Sequence, residues 1–233
     1  MRIKSSTLTF GGVMYLLIFI GAFFSEGAIR GTMFFLEDGA ATVDAIQSNP
    51  GLFEKGILGD LTAFIADVFI SILLFFLFKP VNTLLAATLS ALRLIAHPAI
   101  GISNLLFQYQ AGNLAINASS FSEAQLAELT LNAAQIHHMG YLLAGAMFGV
   151  HCFLMGMAMF KSGFFNKGLA AIMLVAGLSY LLETYGSVLW PNVSGAFANV
   201  VMIFAVIAEI WLLLWLLIPR FRRGYNQTQT AQS

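Results

Sequence analysis

Charge is scarce in this chain. Only 9% of its residues are Asp, Glu, Lys or Arg, too few to cover the surface of a water-soluble domain. Cysteine is nearly absent too. Cys152 stands alone, which excludes an intrachain disulfide and leaves it as a filler between helices. The formal net charge is zero, and the one basic cluster is Arg220, Arg222 and Arg223, so nucleic acid is excluded as a partner. That cluster reads as a stop anchor at anionic lipid headgroups. No HExxH, tight His-x-His pair, Ser/His/Asp order, phosphate loop or haem motif occurs. The sequence therefore signals no reaction class and favours no cofactor.

What is present in quantity is apolar. Hydrophobic residues make up 59% of the chain, gathered in runs near the roughly 20 residues that cross a hydrocarbon core as a helix. Six such spans are expected: Phe10–Ala28, Ile57–Phe78, Val81–Gln108, Ala134–Phe160, Gly168–Trp190 and Ala196–Ile218. A helix satisfies its own backbone polar groups inside lipid, so the expected fold is an all-α integral membrane bundle, with the bilayer as its first partner. Residues 1–225 form a single transmembrane domain, and the polar tail 226–233 reads as disordered. Arg2 and Lys4 before an apolar run resemble a signal peptide, but no small-x-small cleavage site precedes Ile29, so the first span is read as uncleaved.

The remaining charges are sorted by sign. Arg2, Lys4, Lys79, Lys161, Lys167, Arg220, Arg222 and Arg223 flank one set of span ends. Glu26, Glu37, Asp38, Asp44, Glu54, Glu123 and Glu128 flank the other, with Arg30 and Lys55 as their basic company. Basic flanks stay cytoplasmic. Both termini are therefore expected inside, and the longest loop, 29–56, outside, in the inner (plasma) membrane of a cell. Within that loop Ala41–Gln47 has an amphipathic pattern broken at Asn49-Pro50-Gly51; it reads either as an interfacial helix or as an ordered loop. Ser122 and Gln125 have capping-box spacing for a helix running on to Phe160.

An ionisable group deep in lipid costs several kcal/mol unless paired or hydrated, so each one needs a partner. Asp67 lies twelve residues before Lys79, and Arg93 lies twelve after Val81. At 1.5 Å per residue both sit about 18 Å from the cytoplasmic end of adjacent antiparallel helices, which predicts an Asp67–Arg93 ion pair. Ser90, Arg93, His97, Gly101, Asn104 and Gln108 recur at three- and four-residue steps as one polar stripe, faced by Asp60 and Asp67. Two readings fit: a wet cleft opening outward, or a dry interface in which the ion pair only fixes helix registry. Pro98 should bend this span by freeing the Leu94 carbonyl. Tyr180, Glu183, Thr184 and Ser187 share a face of span five that could complete the cleft. His137, Tyr141, Phe148 and His151 share a face of span four, and His151 lies at the depth of Glu209, which suggests a His–carboxylate bond. Gly145-x-x-x-Gly149, continued at Gly156, permits close helix approach, within the bundle or to another copy or subunit. A metal site from His97, His138, His151 and Asp67 is a weak alternative, because their estimated heights differ by one to several turns.

Several short motifs occur in order along most of the chain. They are Asp67 before Lys79-Pro80-Val81-Asn82, then Leu92-Arg93-Leu94, His138-x-Gly140, Gly149-x-His151, Lys161-Ser162-Gly163, Gly177-x-x-Tyr180-Leu181, and Glu209 before Leu214-Trp215-Leu216-Leu217. In these the chain resembles the multi-pass bacterial membrane family known as domain-of-unknown-function family 4386. The resemblance implies a small helical bundle of the bacterial inner membrane, places Asp67, Arg93, His151 and Glu209 in the recurring pattern, and implies no activity. A non-enzymatic binding or transport-like role is favoured for a small polar solute, proton or lipid headgroup. Candidate residues are Asp67, Arg93, His97, Asn104, Glu183, Tyr180, His151 and Glu209. The alternatives are a structural or accessory subunit packed through Gly145, Gly149 and Gly156, and a membrane-embedded His/carboxylate metal hydrolase.

Overall fold

A computed structural model describes residues 3–222 and 224–225. Arg2, Arg223 and the tail 226–233 lie outside the described residues. The chain is all-α, 90% helical. Six helices are long and apolar enough to cross a membrane: α1 (Ser5–Met33), α3 (Pro50–Phe78), α4 (Thr83–Asn117), α5 (Glu123–Ser162), α6 (Lys167–Leu189) and α7 (Pro191–Leu217). A shorter α2 (Gly39–Ser48) joins α1 to α3. Large apolar side chains face outward, among them Leu84 at 77% and Leu106 at 68% exposure, where a water-soluble protein would place charge.

Local chemistry accounts for the helix ends. Asp38, Asn82 and Asn166 cap α2, α4 and α6, each side chain accepting a backbone N–H of the first turn. Ser122 and Gln125 form the expected reciprocal box: the Ser122 N–H donates to Gln125 Oε1 (3.0 Å), and the Gln125 N–H donates to Ser122 Oγ (3.4 Å). From there α5 runs 40 residues without a break, about 60 Å. The break expected over three residues at Asn49-Pro50-Gly51 narrows to Asn49, since proline is at home in a helix's first turn and Pro50 opens α3. The 41–47 segment is helical, and its Val43 and Ile46 pack with Ile29, Met33, Phe53 and Ala115.

Two spans change their hydrogen-bond ladder part-way. Ile95–Gly101 in α4 is π-helical, and it contains Pro98. A proline has no N–H for the Leu94 carbonyl, and the widened i→i+5 turn absorbs that loss. Phe24–Arg30 in α1 is also π-helical. It carries α1 on to Met33, so the outward loop expected to begin at Ile29 begins five residues later than the sequence suggests.

By contact the chain divides into two compact units. The first comprises the described residues of Met1–Leu16, Asp67–Pro98 and Leu142–Ser233; the second comprises Leu17–Ala66 and Ala99–Tyr141. In the first unit α5 and α6 meet through glycine. A Cβ on Gly149 would lie 2.9 Å from the Gly177 carbonyl oxygen, and one on Gly156 would lie 2.9 Å from that of Ala170. Gly145 faces Thr184 and Tyr180 of the same helix. The small-residue seam is thus packed against α6 of this chain. Arg222 also departs from expectation. It is buried rather than lipid-facing, and its guanidinium donates to the Ser5 carbonyl (3.2 Å) and to Thr9 Oγ1 (2.9 Å). In the second unit a Cβ on Gly21 would press on the Gly59 backbone carbonyl at 2.5 Å, which sets how closely α1 and α3 approach there.

The glycine seam yields a prediction. Gly177→Val sets its Cβ 2.5 Å from the Phe153 backbone nitrogen and should destabilise by about 1–3 kcal/mol or more. Gly51→Ala, with nothing within 4 Å, should stay within about 0.5 kcal/mol of the parent. Unfolding of the two purified variants in detergent measures both.

Candidate functional site

In the first unit the polar residues of α3, α4 and α5 converge on one carboxylate. Asp67 is fully buried and Arg93 is 1% exposed. Arg93 Nε donates to Asp67 Oδ1, closing the ion pair that equal depth on antiparallel helices predicts. The other carboxylate oxygen, Oδ2, lies 2.7 Å from His97 Nδ1. Arg93 and His97 are four residues apart on α4, hence neighbours on one helix face, and they take one oxygen each. Both charges are thereby compensated with hydrogen bonds, the condition under which a buried pair survives.

His151 supports the arginine from behind. Its Nδ1 donates to the Leu89 carbonyl at 2.7 Å, and its Nε2 lies 3.4 Å from Arg93 Nη1. A carbonyl only accepts, so Nδ1 carries the proton and Nε2 offers a lone pair to the guanidinium. This corrects the expected His151–Glu209 bond, since both ring nitrogens are engaged elsewhere. The His–carboxylate contact that forms is His97–Asp67. Glu209 is half-buried and within electrostatic reach of Arg93 and Asp67 without bonding to His151. Equal depth did not carry the angular information: two residues at one height on two helices meet only if their faces match.

Aromatic rings complete the enclosure. The Arg93 guanidinium carbon lies 5.1 Å from the centroids of both Tyr15 and Phe148, so two ring faces flank the cation. Phe148 also touches His97 (4.4 Å between centroids), His151 (5.3 Å) and Tyr180 (5.2 Å, edge-on). The open cleft expected to reach Asp67 and Arg93 is therefore closed in this structure. Of Asp67, Arg93, His97 and His151, only His97 is more than 1% exposed, at 21%. Glu183 is half-buried on α6 and interacts electrostatically with Tyr180. Tyr15 was not foreseen as part of the group, although a lone tyrosine in the apolar run of α1 was a signal.

The polar stripe of α4 does not stay together. Ser90, Arg93 and His97 belong to the first unit, whereas Asn104 and Gln108 belong to the second. There Asn104 and His137 exchange bonds: Asn104 Nδ2 donates to the His137 carbonyl (2.7 Å), and His137 Nδ1 to the Asn104 carbonyl (3.0 Å). His138 also lies in the second unit and is exposed. The alternative metal set of His97, His138, His151 and Asp67 is not assembled, and among the described residues no three His, Cys, Asp or Glu side chains are placed to hold a metal ion.

One ionic group went unforeseen. Arg30, expected beside the outward loop, is 7% exposed in the second unit and pairs with fully buried Asp60. Its Nε donates to exposed Glu26 at 2.8 Å. The clue was Asp60 itself, a carboxylate inside a span for which the sequence reading supplied no cation.

Comparison with known proteins agrees with the motif pattern. The model of the family described as domain of unknown function (DUF4386) matches residues 10–219. The chain belongs to this family. Membership, with six apolar helices, makes it a multi-pass membrane protein. An uncharacterized protein of Archaeoglobus fulgidus is 28% identical over 127 residues, 54% of this chain and 64% of that protein. The chain thus spans under two thirds of the length of that relative. No solved structure matches.

Arg93 should prove the least replaceable residue of the group. Arg93→Met strands the Asp67 carboxylate and should cost about 3–5 kcal/mol of unfolding free energy. Arg93→Lys keeps the charge but lacks the fork that reaches Asp67 and His151 together, and should recover only part of that loss. Denaturant titration in detergent micelles ranks the three proteins.

Proposed function

We propose that this protein is a non-enzymatic binding or transport-like membrane protein in which the Asp67–Arg93–His97 group handles a proton, a small polar solute or a lipid headgroup. The supporting observation is the division of the Asp67 carboxylate. One oxygen is held by a permanent cation, and the other by an imidazole that is itself partly exposed. A change in the protonation of His97 alters what holds Oδ2 while Arg93 keeps Oδ1. The carboxylate then has a second bonding state within reach, at the side where a solute enters.

The closed arrangement is one state of this proposal. In the other, α3, α4 and α6 part on the outward side and Phe148 turns away from His97. Tyr180 and Glu183 then line the entrance, with Glu209 near Arg93 as a further charged wall. The sign of the flanking charges supports a plasma-membrane orientation with Lys4, Lys79, Lys161, Lys167 and Arg220 at the cytoplasmic face. In that orientation α2 lies at the outer interface.

Proton counting tests the reading without a known solute. Detergent-purified parent and His97→Gln should differ in the protons they bind on titration, because the reading places the exchangeable proton at the His97–Asp67 contact. Identical curves for the parent and His97→Gln, with both proteins folded, would overturn it.

A further inference from the structure

The second unit contains a polar cluster whose hydrogen bonding is lopsided. Arg30 Nη1 faces three acceptors: the Asp60 carboxylate, Ser25 Oγ (2.9 Å) and Gln108 Oε1 (3.3 Å). It carries only two N–H groups for them. Ser25 Oγ in turn points its single hydrogen between Asp60 Oδ2 (2.7 Å) and the Gly56 carbonyl (3.0 Å). In the same groups, Arg30 Nη2, Asp60 Oδ1 and Gln108 Nε2 are buried with no hydrogen-bond partner among the described residues. Each of these bare atoms belongs to one of the three groups, Arg30, Asp60 and Gln108, that meet at Nη1.

Buried polar atoms are almost always satisfied, and an orphan costs about 1–3 kcal/mol, more when charged. Three such atoms on groups that meet at Nη1 point to one shared hydrogen-bonding occupant. The occupant must accept from a guanidinium and an amide while donating to a carboxylate. An apolar ligand does neither, an anion has no proton for Asp60, and a metal cation cannot accept from the N–H groups of Arg30 and Gln108. Water does both, and a site needs only two to four polar partners to hold it.

We propose that Arg30, Asp60 and Gln108 enclose a hydrated site in the second unit, which holds ordered water and is reached from the surface beside Glu26. The π-helical turn Phe24–Arg30 builds it: an i→i+5 ladder brings residues five apart onto nearly one face, so Ser25 and Arg30 both turn toward Asp60. Glu26, 58% exposed, holds Arg30 Nε from the outside and marks the way in. Tyr141 covers the guanidinium at 4.8 Å from its ring centroid, and His137 stacks beside Tyr141 at 5.9 Å. The ionisable groups facing the site are thus Glu26, Arg30, Asp60, Tyr141 and His137. Two carboxylates against one guanidinium leave it net negative, so a small monovalent cation in water is not turned away.

Silver-ion accessibility tests this in the full chain in its membrane. In a Cys152→Ala background, Ser25→Cys and Gln108→Cys place a thiol on the site, and Ala115→Cys places one in the apolar cluster with Ile29, Ile46 and Phe53. Each protein is exposed to Ag+ for increasing times, quenched, denatured, and its remaining thiol labelled with a maleimide. Thiolates form and react only where water reaches, so the two site thiols should be blocked at least roughly tenfold faster than the control. Blocking of all three at the Ala115→Cys rate would overturn the proposal. If Gln108→Cys does not fold, Ser25→Cys against the same control decides.

Discussion

A charge in hydrocarbon must be neutralised close at hand, and that constraint organises the polar residues of this protein. The chain carries few charges and places Asp60, Asp67, Arg30 and Arg93 inside its spanning helices with 7% exposure or less. Moving one such ion out of water costs several kcal/mol even after relaxation. Each acid is accordingly matched to an arginine from another helix, and each arginine is given further acceptors. Arginine suits this role better than lysine because its fork reaches several partners at once. The pairs in turn fix helix registry, since a shift of one turn would part the ions by about 5.4 Å.

Around this constraint the packing is ordinary for a membrane protein. Without a hydrophobic force between helices in lipid, close approach relies on small residues. Gly149, Gly156 and Gly177 provide it between α5 and α6, and Gly21 and Gly59 between α1 and α3. Where a regular α-helix would aim a polar group wrongly, the ladder widens. The π-turn of α1 brings Ser25 and Arg30 to Asp60, and the π-turn of α4 takes up the proline that follows His97. Such bulges are frequent at functional sites, and here one adjoins the Arg30–Asp60 pair and the other the Asp67–Arg93 pair.

Much of this could be read before any coordinates. The six spans followed from hydropathy, the α5 start from its capping box, and the Asp67–Arg93 pair from a count of residues up two antiparallel helices. That count works because the helical rise is fixed. It gives height and says little about direction, which is why His151 was matched to Glu209 when it faces Leu89 and Arg93 instead. Arg30 escaped because its span was ended at Ala28 by hydropathy, and a π-turn has no signature in sequence. The glycine seam was legible as a contact surface, but its occupant was not, because any helix of the right height fills it. Closure of the group by Tyr15 and Phe148 depends on ring placement that spacing does not encode.

The central claim is that Asp67 and Arg93 stabilise one another inside the membrane. A double-mutant cycle with Asp67→Asn, Arg93→Met and the pair, followed by reversible unfolding in detergent, measures that directly. The account predicts strong coupling, with the double variant at least about 1.5 kcal/mol more stable than the sum of the single losses implies. Losses that add to within about 0.5 kcal/mol would contradict it.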